Sequence, residues 1–172
     1  WNKEDPPHFE DFLDTARLFD FVFTSDVNLV GAYKQALGHD RVWPLSFAAQ
    51  PAIHNPIRND MPNYQKGDVA FAGMYFAHKY PERREQMEML LGGAMDASGH
   101  LEDGLRIFSR FEGKDERYLF PQPFSQRVVG SLPYEKMIAA YKNFKVFLNV
   151  NSVVDSPSMC SRRVFELLAS GT

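Results

Sequence analysis

The feature that most constrains the fold is a regular alternation of short apolar runs with segments of helical period. Apolar runs such as DVAFA at 68–72, LRIF at 105–108 and VFLNV at 146–150 are separated by stretches in which apolar residues recur every three or four positions. Strands that alternate with helices of this length are joined by right-handed crossovers, which make neighbouring strands parallel. The sequence therefore predicts an α/β fold, a parallel sheet with flanking helices.

The first fifty residues are predicted to form a helix, a strand, a second helix and an extended segment. Asp26 precedes the second helix, where its carboxylate can cap free N–H groups, and Gly38 follows that helix as a typical stop. Pro44 confines the extended segment to a sheet edge or a bulge. The predicted elements are His8–Phe19, Asp20–Thr24, Val27–Leu37 and Arg41–Phe47.

A connection follows at residues 48–67, which contain three prolines and no sustained apolar period. The predicted organisation is one domain ending within residues 1–50, a linker over residues 51–67 and a second domain over residues 68–172. Because the sequence starts at Trp1 rather than Met and stops just after Gly171, where a helix would end, we expect it to be part of a longer protein.

The second predicted domain alternates strands and helices around an irregular, charged stretch at residues 109–126. Gly73 follows the first strand as a turn, and Gly92-Gly93 is a natural stop for the helix after it. The predicted strands are Asp68–Ala72, Leu105–Phe108, a short tip over Val128–Ser131, and Lys145–Val150, and the predicted helices are Pro81–Leu91, Tyr134–Tyr141 and a final one that ends at Gly171.

The last strand, loop and helix, residues 145–172, are the predicted ligand site. In an open parallel sheet, ligands bind beyond the carboxyl ends of the strands, where the next helix presents free N–H groups and the positive end of its dipole. Ser156, Pro157 and Ser158 are expected to start the final helix. Gly73 and Gly130 each follow a strand, where a ligand can approach the backbone closely.

The final helix is predicted to have one polar face and one core face. Helical spacing puts Met159, Arg162, Arg163, Glu166 and Ser170 on the polar face and Cys160, Val164, Leu167 and Leu168 on the core face. The polar face could be a solvated stripe with a weak Arg162–Glu166 pair. The alternative is an anionic ligand near the start of the helix, because two arginines lie there and the helix dipole favours an anion at that end.

Composition argues against several other kinds of function. The net charge is −3 and the basic residues are scattered, so no nucleic-acid partner is expected. The five histidines and the single Cys160 lack metal-ligand spacing, so no metal site is expected, and a lone cysteine suits a cytoplasmic location. No apolar run approaches the ~18 residues that span a bilayer. The sequence also lacks a P-loop, a G-x-S-x-G elbow and a G-x-G-x-x-G fingerprint.

Four segments together resemble the CgeB-like (spore maturation) family of GT-B glycosyltransferases. They are WNKEDP at 1–6, DVAFAG at 68–73, VVGSLPYEKM at 128–137 and FLNVNSVVDSPSMCSRRVFELLASGT at 147–172. The resemblance implies two Rossmann-like domains that face each other across a cleft, with the nucleotide-sugar donor held mainly by the C-terminal one. Residues 1–50 would then end the acceptor domain, and residues 68–172 would form most of the donor domain, inactive by itself.

The resemblance also implies roles for single residues. Glu166 matches the glutamate whose carboxylate accepts hydrogen bonds from the donor ribose. Gly130, Ser131 and Leu132 match the loop that meets the nucleobase, and Gly73 matches a glycine beside the diphosphate.

Two positions depart from the family pattern. Ser158 stands where the family has another glutamate, which contacts the transferred sugar, and Met74 replaces an arginine that is common in related enzymes. Lys79 and the two arginines of the final helix are the expected substitutes, since guanidinium pairs well with phosphate. The expected nucleotide-sugar-binding residues are Gly73, Lys79, Gly130, Ser131, Leu132, Ser158, Met159, Arg162, Arg163 and Glu166.

The implied function is transfer of a sugar from a nucleotide-diphosphate sugar to an unknown acceptor, which could be a glycan, a protein or a small molecule, without a further cofactor. No catalytic base is identified, and we expect it to precede Trp1. One alternative is a sugar-nucleotide epimerase of the same architecture. Another is a non-catalytic nucleotide- or sugar-binding module, which Ser158 in place of a glutamate favours.

Overall fold

The computed structural model describes residues 6–58, 66–76, 78, 80–151 and 156–172. The chain divides into two compact units: the described parts of Trp1–Ala48 with Asn151–Arg162, and of Ala49–Val150 with Arg163–Thr172. Residue 151 and residues 156–162 thus group with the N-terminal segment, whereas the sequence placed them with residues 68–150. The assignment of acceptor and donor roles to these regions stays a prediction.

The first unit packs two helices against a two-stranded parallel sheet. Its elements are α1 (Pro6–Ala16), β1 (Val22–Thr24), α2 (Val30–Leu37) and β2 (Val42–Pro44). Asp26 accepts a hydrogen bond from the N–H of Asn28 in the 3₁₀ turn that precedes α2, and Gly38 ends α2 in a left-handed conformation, as predicted. Its core consists of Leu13, Ala16, Leu29, Tyr33 and Val42.

The second unit is built on a three-stranded parallel sheet with the order β4–β3–β5. The strands are β3 (Gly67–Gly73), β4 (Leu105–Ser109) and β5 (Phe144–Leu148), and the helices are α3 (Pro81–Ala97), α4 (Tyr134–Tyr141) and α5 (Arg162–Ser170). Beyond β4, Val128 forms an isolated parallel bridge with Ile107. Parallel strands with flanking helices confirm the predicted α/β, Rossmann-like fold class.

The central strand β3 is buried on both faces, which is typical of an interior strand in a parallel sheet. Because successive side chains point to opposite faces, its residues contribute alternately to two cores. One core contains Val69, Phe71, Met87, Leu91 and Ala94, and the other contains Ala70, Ala72, Ala140, Tyr141 and Leu167. Helix α3 therefore covers one face, and α4 and α5 cover the other.

The predicted end of α3 is wrong. The helix continues through Gly92 and Gly93 to Ala97 instead of stopping at the two glycines. Met87, Leu91 and Ala94 are buried on one side of the helix, so packing on both sides of the glycine pair holds the backbone helical. That packing offsets a glycine cost of about 1 kcal/mol per residue.

The predicted start of α5 is also wrong, because the helix begins at Arg162. The serines expected to cap it are used elsewhere in the first unit. Ser156 Oγ donates to the Asp26 carboxylate at 2.8 Å and accepts the N–H of Met159, while Ser158 Oγ donates to the carbonyl of Ser25 at 3.0 Å. Met159 and Cys160 consequently precede the helix rather than contribute to its faces.

The two faces of α5 differ from the predicted ones as well. Glu166 and Ser170, placed on the polar face, are each only 2% exposed, whereas Leu168, placed on the core face, is 70% exposed. Leu167 is buried, as predicted. The buried side contains a carboxylate because α4 supplies tyrosine hydroxyls that donate to it, and a buried charge requires such partners.

Candidate functional site

At the carboxyl ends of the strands, the predicted glycines Gly73 and Gly130 lie on either side of Ser109. Gly73, at the end of β3, lies opposite Ser109 in the register of β3 and β4. The N–H of Ser109 donates to the carbonyl of Gly130 at 2.8 Å, and the N–H of Arg110 donates to the carbonyl of Gly73 at 3.0 Å. Gly73, Ser109 and Gly130 therefore form a continuous backbone edge where the strands end.

Gly130 has a backbone conformation that favours glycine. Its φ is +101°, a value that residues with a side chain rarely adopt, and a Cβ built there would meet nothing within 4 Å. The space beside this backbone is therefore open. Ser131 is exposed, and the next residue, Leu132, packs against the core that α4 covers.

Arg163 is held against the end of the central strand. Its Nη1 donates to the carbonyl of Ala72, the residue before Gly73, and its Nε donates to the hydroxyl of Tyr141 at 3.2 Å. Tyr141 is only 1% exposed, so its position is fixed by the core. Two hydrogen bonds on different nitrogens fix the plane of the guanidinium group next to Gly73.

A second arginine lies near Arg163. Arg83, in the first turn of α3, places its guanidinium 4.6 Å from the centre of the Phe76 ring. Within the part of the chain that the structure describes, its buried Nε has no hydrogen-bond partner. Burial lowers the pKa of Arg83, and the positive charge of Arg163 lowers it further. A buried arginine nitrogen without a partner in the described residues, beside a second positive charge, suits an anionic ligand.

Sequence reasoning missed Arg83, although a signal was present. Arg83 lies in the first turn of a helix that follows a strand, where the helix dipole disfavours a cation. The same argument singled out Arg162 and Arg163 in the final helix. Applied to every helix that follows a strand, it would have selected Arg83.

Glu166 is buried and belongs to a polar network with buried Tyr141, buried His54 and Tyr134, which is 49% exposed. Its Oε1 accepts the hydroxyl of Tyr134 at 3.1 Å and its Oε2 accepts the hydroxyl of Tyr141 at 3.3 Å. His54, 6% exposed, places its Nε2 3.2 Å from the Tyr134 oxygen. The N–H of Gln50 donates to His54 Nδ1, so a neutral ring has its proton on Nε2 and donates it towards Tyr134.

The other predicted site residues are spread over the chain. Ser158 and Met159 lie in the first unit, and Arg162 is exposed at the start of α5. Lys79 lies outside the described residues. The structure brings Gly73, Gly130 and Arg163 together in the second unit, with Arg83 added to them.

Surface hollows occur in other parts of the second unit. One of about 550 Å³ is lined by Ile53, Ile57, Tyr134, Ile138 and Lys142, among others, so Tyr134 connects it to the Glu166 network. In the described ranges, no three His, Cys, Asp or Glu side chains are grouped so that they could hold a metal ion. None of the helices described is both long and apolar enough to cross a bilayer.

Comparison with known proteins gives one informative match. No curated protein matches the chain. A family model described as glycosyl transferase-like matches residues 76–172, a segment that includes Arg83, Gly130, Arg163 and Glu166 and begins just after Gly73. The match covers more than half of the sequence and agrees with the parallel α/β fold. The chain therefore belongs to the glycosyl transferase-like family.

Proposed function

We propose that this protein transfers a sugar from a nucleotide-diphosphate sugar, and that its second unit binds the donor. The observation that supports this most directly is the guanidinium group of Arg163, which donates to the Ala72 carbonyl at the carboxyl end of the central strand. Arg83, in the first turn of the helix that follows this strand, adds a second positive charge. A diphosphate is the part of such a donor that two guanidinium groups bind best, because each can hydrogen-bond phosphate oxygens in a forked geometry.

The diphosphate would lie against the backbone edge formed by Gly73, Ser109 and Gly130. The open space beside Gly130 leaves room for phosphate oxygens, whereas Gly73 makes room for the Phe71 ring. The start of α3 adds the positive end of a helix dipole. During transfer, the bond from the sugar to the diphosphate breaks and negative charge accumulates on the leaving phosphate. Fixed guanidinium groups stabilise that charge, which is their proposed contribution to the reaction.

The nucleobase is proposed to meet Gly130, Ser131 and Leu132, supported by the open space beside the Gly130 backbone. The roles predicted for Lys79, Arg162, Ser158 and Met159 at the donor stay predictions. Membership of the CgeB-like spore-maturation branch, a cytoplasmic location and the acceptor role of residues 1–50 stay predictions.

A non-catalytic binding module is the second candidate, and one observation favours it. Ser158, which replaces a family glutamate, uses its hydroxyl to bridge the Ser25 carbonyl and the Val27 N–H. A hydroxyl engaged in this way cannot substitute for a carboxylate in contacts to a sugar. Release of free nucleoside diphosphate from a nucleotide sugar by the full-length protein would exclude this candidate, and conversion to an epimeric nucleotide sugar would favour the epimerase alternative.

The direct test is calorimetric titration of the full-length protein with nucleoside diphosphates, nucleosides and inorganic pyrophosphate. We expect the diphosphates and pyrophosphate to bind and Arg83→Met to weaken both by about thirtyfold, because a charge-assisted contact contributes about 1.5–3 kcal/mol. Arg106→Met is the matched control, since Arg106 pairs with Asp103 at the opposite end of β4. Equal affinities for nucleoside and diphosphate, or equal losses in both variants, would contradict the proposal.

A further inference from the structure

The surface hollow of about 550 Å³ in the second unit follows one face of α4. From this helix it is lined by Glu135, Ile138 and Lys142, which are three and four positions apart and therefore share a face. The segment before β3 supplies the facing wall, with Ile53 and Ile57 among its residues. Sites that hold small molecules typically have volumes of about 300–1,000 Å³, so the hollow is large enough for one.

Lys142 is a buried cation in the wall of this hollow. It is 7% exposed, and lysine is rarely buried to that degree without a charged partner. Its Nζ donates to Asn55 Oδ1 at 3.1 Å, an oxygen that also accepts the N–H of Ile57. Among the described residues, this shared amide oxygen is the one hydrogen-bond acceptor of an ammonium group that has three donors. The charge is therefore enclosed without a counter-ion from the described part of the chain.

The surroundings of the ammonium group indicate which ligand would complete it. Ile53, Ile57 and Ile138 form an apolar wall, and Ile57 is 69% exposed, so an apolar body that covered the wall would remove it from water. The carboxyl end of α4 favours a cation at Lys142 but supplies no anion. A molecule with an apolar body and an anionic group would cover the isoleucines and pair with the buried charge.

Glu135 limits the negative charge that such a ligand can carry. It lies seven positions before Lys142, about 10 Å away along the helix axis, and it also lines the hollow. A second negative charge on the ligand, at the end away from Lys142, would be repelled by the Glu135 carboxylate. A single carboxylate therefore suits the hollow better than a dicarboxylate or a phosphate dianion.

We propose that the hollow binds a small monocarboxylate with an apolar body, and that Lys142 pairs with its carboxylate. This ligand is different from the nucleotide-sugar donor, so the inference goes beyond the proposed function and does not depend on it. Tyr134 lines the hollow and donates to Glu166, and it would therefore connect the bound molecule to the Glu166 network.

The test is calorimetric titration of the full-length protein with octanoate and with octanamide, which has the same length but no charge. We expect octanoate to bind, and octanamide to bind more weakly. Lys142→Met should weaken octanoate binding by about tenfold, because a charge-assisted hydrogen bond is lost, and should change octanamide affinity by less than about twofold. Lys136→Met is the matched control and should change neither affinity, since Lys136 is an exposed lysine of the same helix that does not line the hollow.

Two further comparisons test the apolar wall and the limit on charge. Ile57→Ser should weaken octanoate and octanamide to the same extent, by about threefold, because it removes apolar surface that both molecules cover. Octanedioate, which carries a second carboxylate, should bind wild type more weakly than octanoate, and Glu135→Gln should reduce that difference.

Absence of octanoate binding to the folded wild type would overturn the inference. An octanoate affinity that Lys142→Met leaves unchanged, or that Lys136→Met lowers as much, would also overturn it. None of these results bears on the proposed function, because pyrophosphate and nucleoside diphosphates are titrated separately on the same protein.

Circular dichroism and thermal melting establish that each variant is folded. If Lys142→Met does not fold, Ile57→Ser and Glu135→Gln decide the inference together with wild type, because both replace exposed side chains. Equal affinity of wild type for octanoate and octanamide, or octanoate binding that Ile57→Ser does not weaken, is then the contradicting result.

Discussion

The two ends of the three-stranded sheet differ in whether their charged side chains are paired within the protein. At the amino end, the buried carboxylate of Asp68 accepts the N–H groups of Asp103 and Gly104 and the ammonium group of Lys145. The Lys145 ammonium group, with the two backbone donors, lowers the pKa of Asp68 to about 2 despite burial. This carboxylate is compensated within the protein, so its role is to hold β3, β5 and the turn before β4 together.

At the carboxyl end, polar groups are left uncompensated. Arg83 has a lowered pKa, a positive neighbour and a buried Nε that, in the described part of the chain, lacks a hydrogen-bond partner. Ser109 is fully buried, and its hydroxyl also lacks a hydrogen-bond partner within the described residues. Groups of this kind lower stability and persist at sites that serve a function. Asp68 thus has partners within the protein, whereas Arg83 and Ser109 are the kind of residues expected where a ligand binds, as proposed above.

The largest expected effect on stability is that of Asp68→Asn, which removes the compensated charge. We expect Tm at pH 7 to fall by on the order of 5 °C, because the amide turns a donor towards Lys145 and weakens the bonds to two backbone N–H groups. Affinity for a nucleoside diphosphate should not change. Thermal melting and calorimetry on the same preparations give both values.

The way in which stability changes with pH provides a second test of the role of Asp68. The pKa of Asp68 is lower in the folded chain than its ordinary value of 3.8. Its stabilising contribution is therefore fully present above about pH 4 and is lost as the pH falls towards 2. The wild type should lose more stability than Asp68→Asn over that range, while Asp14→Asn, at a carboxylate that is 77% exposed, should follow the wild type. If stability fell equally with pH in all three proteins, the stabilising role of the Asp68 carboxylate would be contradicted.

A smaller effect is expected of Ser109→Ala at the carboxyl end. Removal of a buried hydroxyl that has no partner should raise the free energy of unfolding by about 1 kcal/mol, since its desolvation is no longer required. Ser98→Ala should have the opposite sign, because Ser98 Oγ donates to the carbonyl of Ala94 at 2.8 Å. Urea unfolding of both variants measures the difference. A loss of stability in Ser109→Ala would mean that this hydroxyl has a partner, and the contrast between the ends would weaken.

Much of the fold could be predicted from the sequence because it depends on local patterns. Alternating strand and helix signals gave the parallel α/β class, and Pro133 followed by an apolar helical period gave α4 as Tyr134–Tyr141. Asp26 and Gly38 acted as the predicted cap and stop because these roles use only neighbouring backbone groups. The start of α5 was predicted wrongly because Ser156 and Ser158 hydrogen-bond to residues more than a hundred positions away, which local patterns do not reveal.

The candidate site could be predicted only in part. Gly73, Gly130 and Arg163 come together because parallel strands end at one edge, which the order of elements already implies. The burial of Glu166 could not be predicted, since it depends on hydroxyls that reach it from a different helix. Whether these residues contact a donor stays a prediction.

The smallest predicted effect is that of a glycine substitution in α3, the helix that connects β3 to β4. Gly93 lies inside this helix, and a Cβ added there would meet nothing within 4 Å, so Gly93→Ala should raise the free energy of unfolding by about 0.5–1 kcal/mol by restricting the unfolded chain. Gly38→Ala is the matched control, because it has equal space but a φ of +72°, and should cost about 1 kcal/mol. Urea unfolding of both variants measures whether each substitution raises or lowers the free energy of unfolding. If Gly93→Ala destabilised the protein as Gly38→Ala does, the backbone at Gly93 would be left-handed and α3 would end at the glycine pair, as the sequence alone predicts.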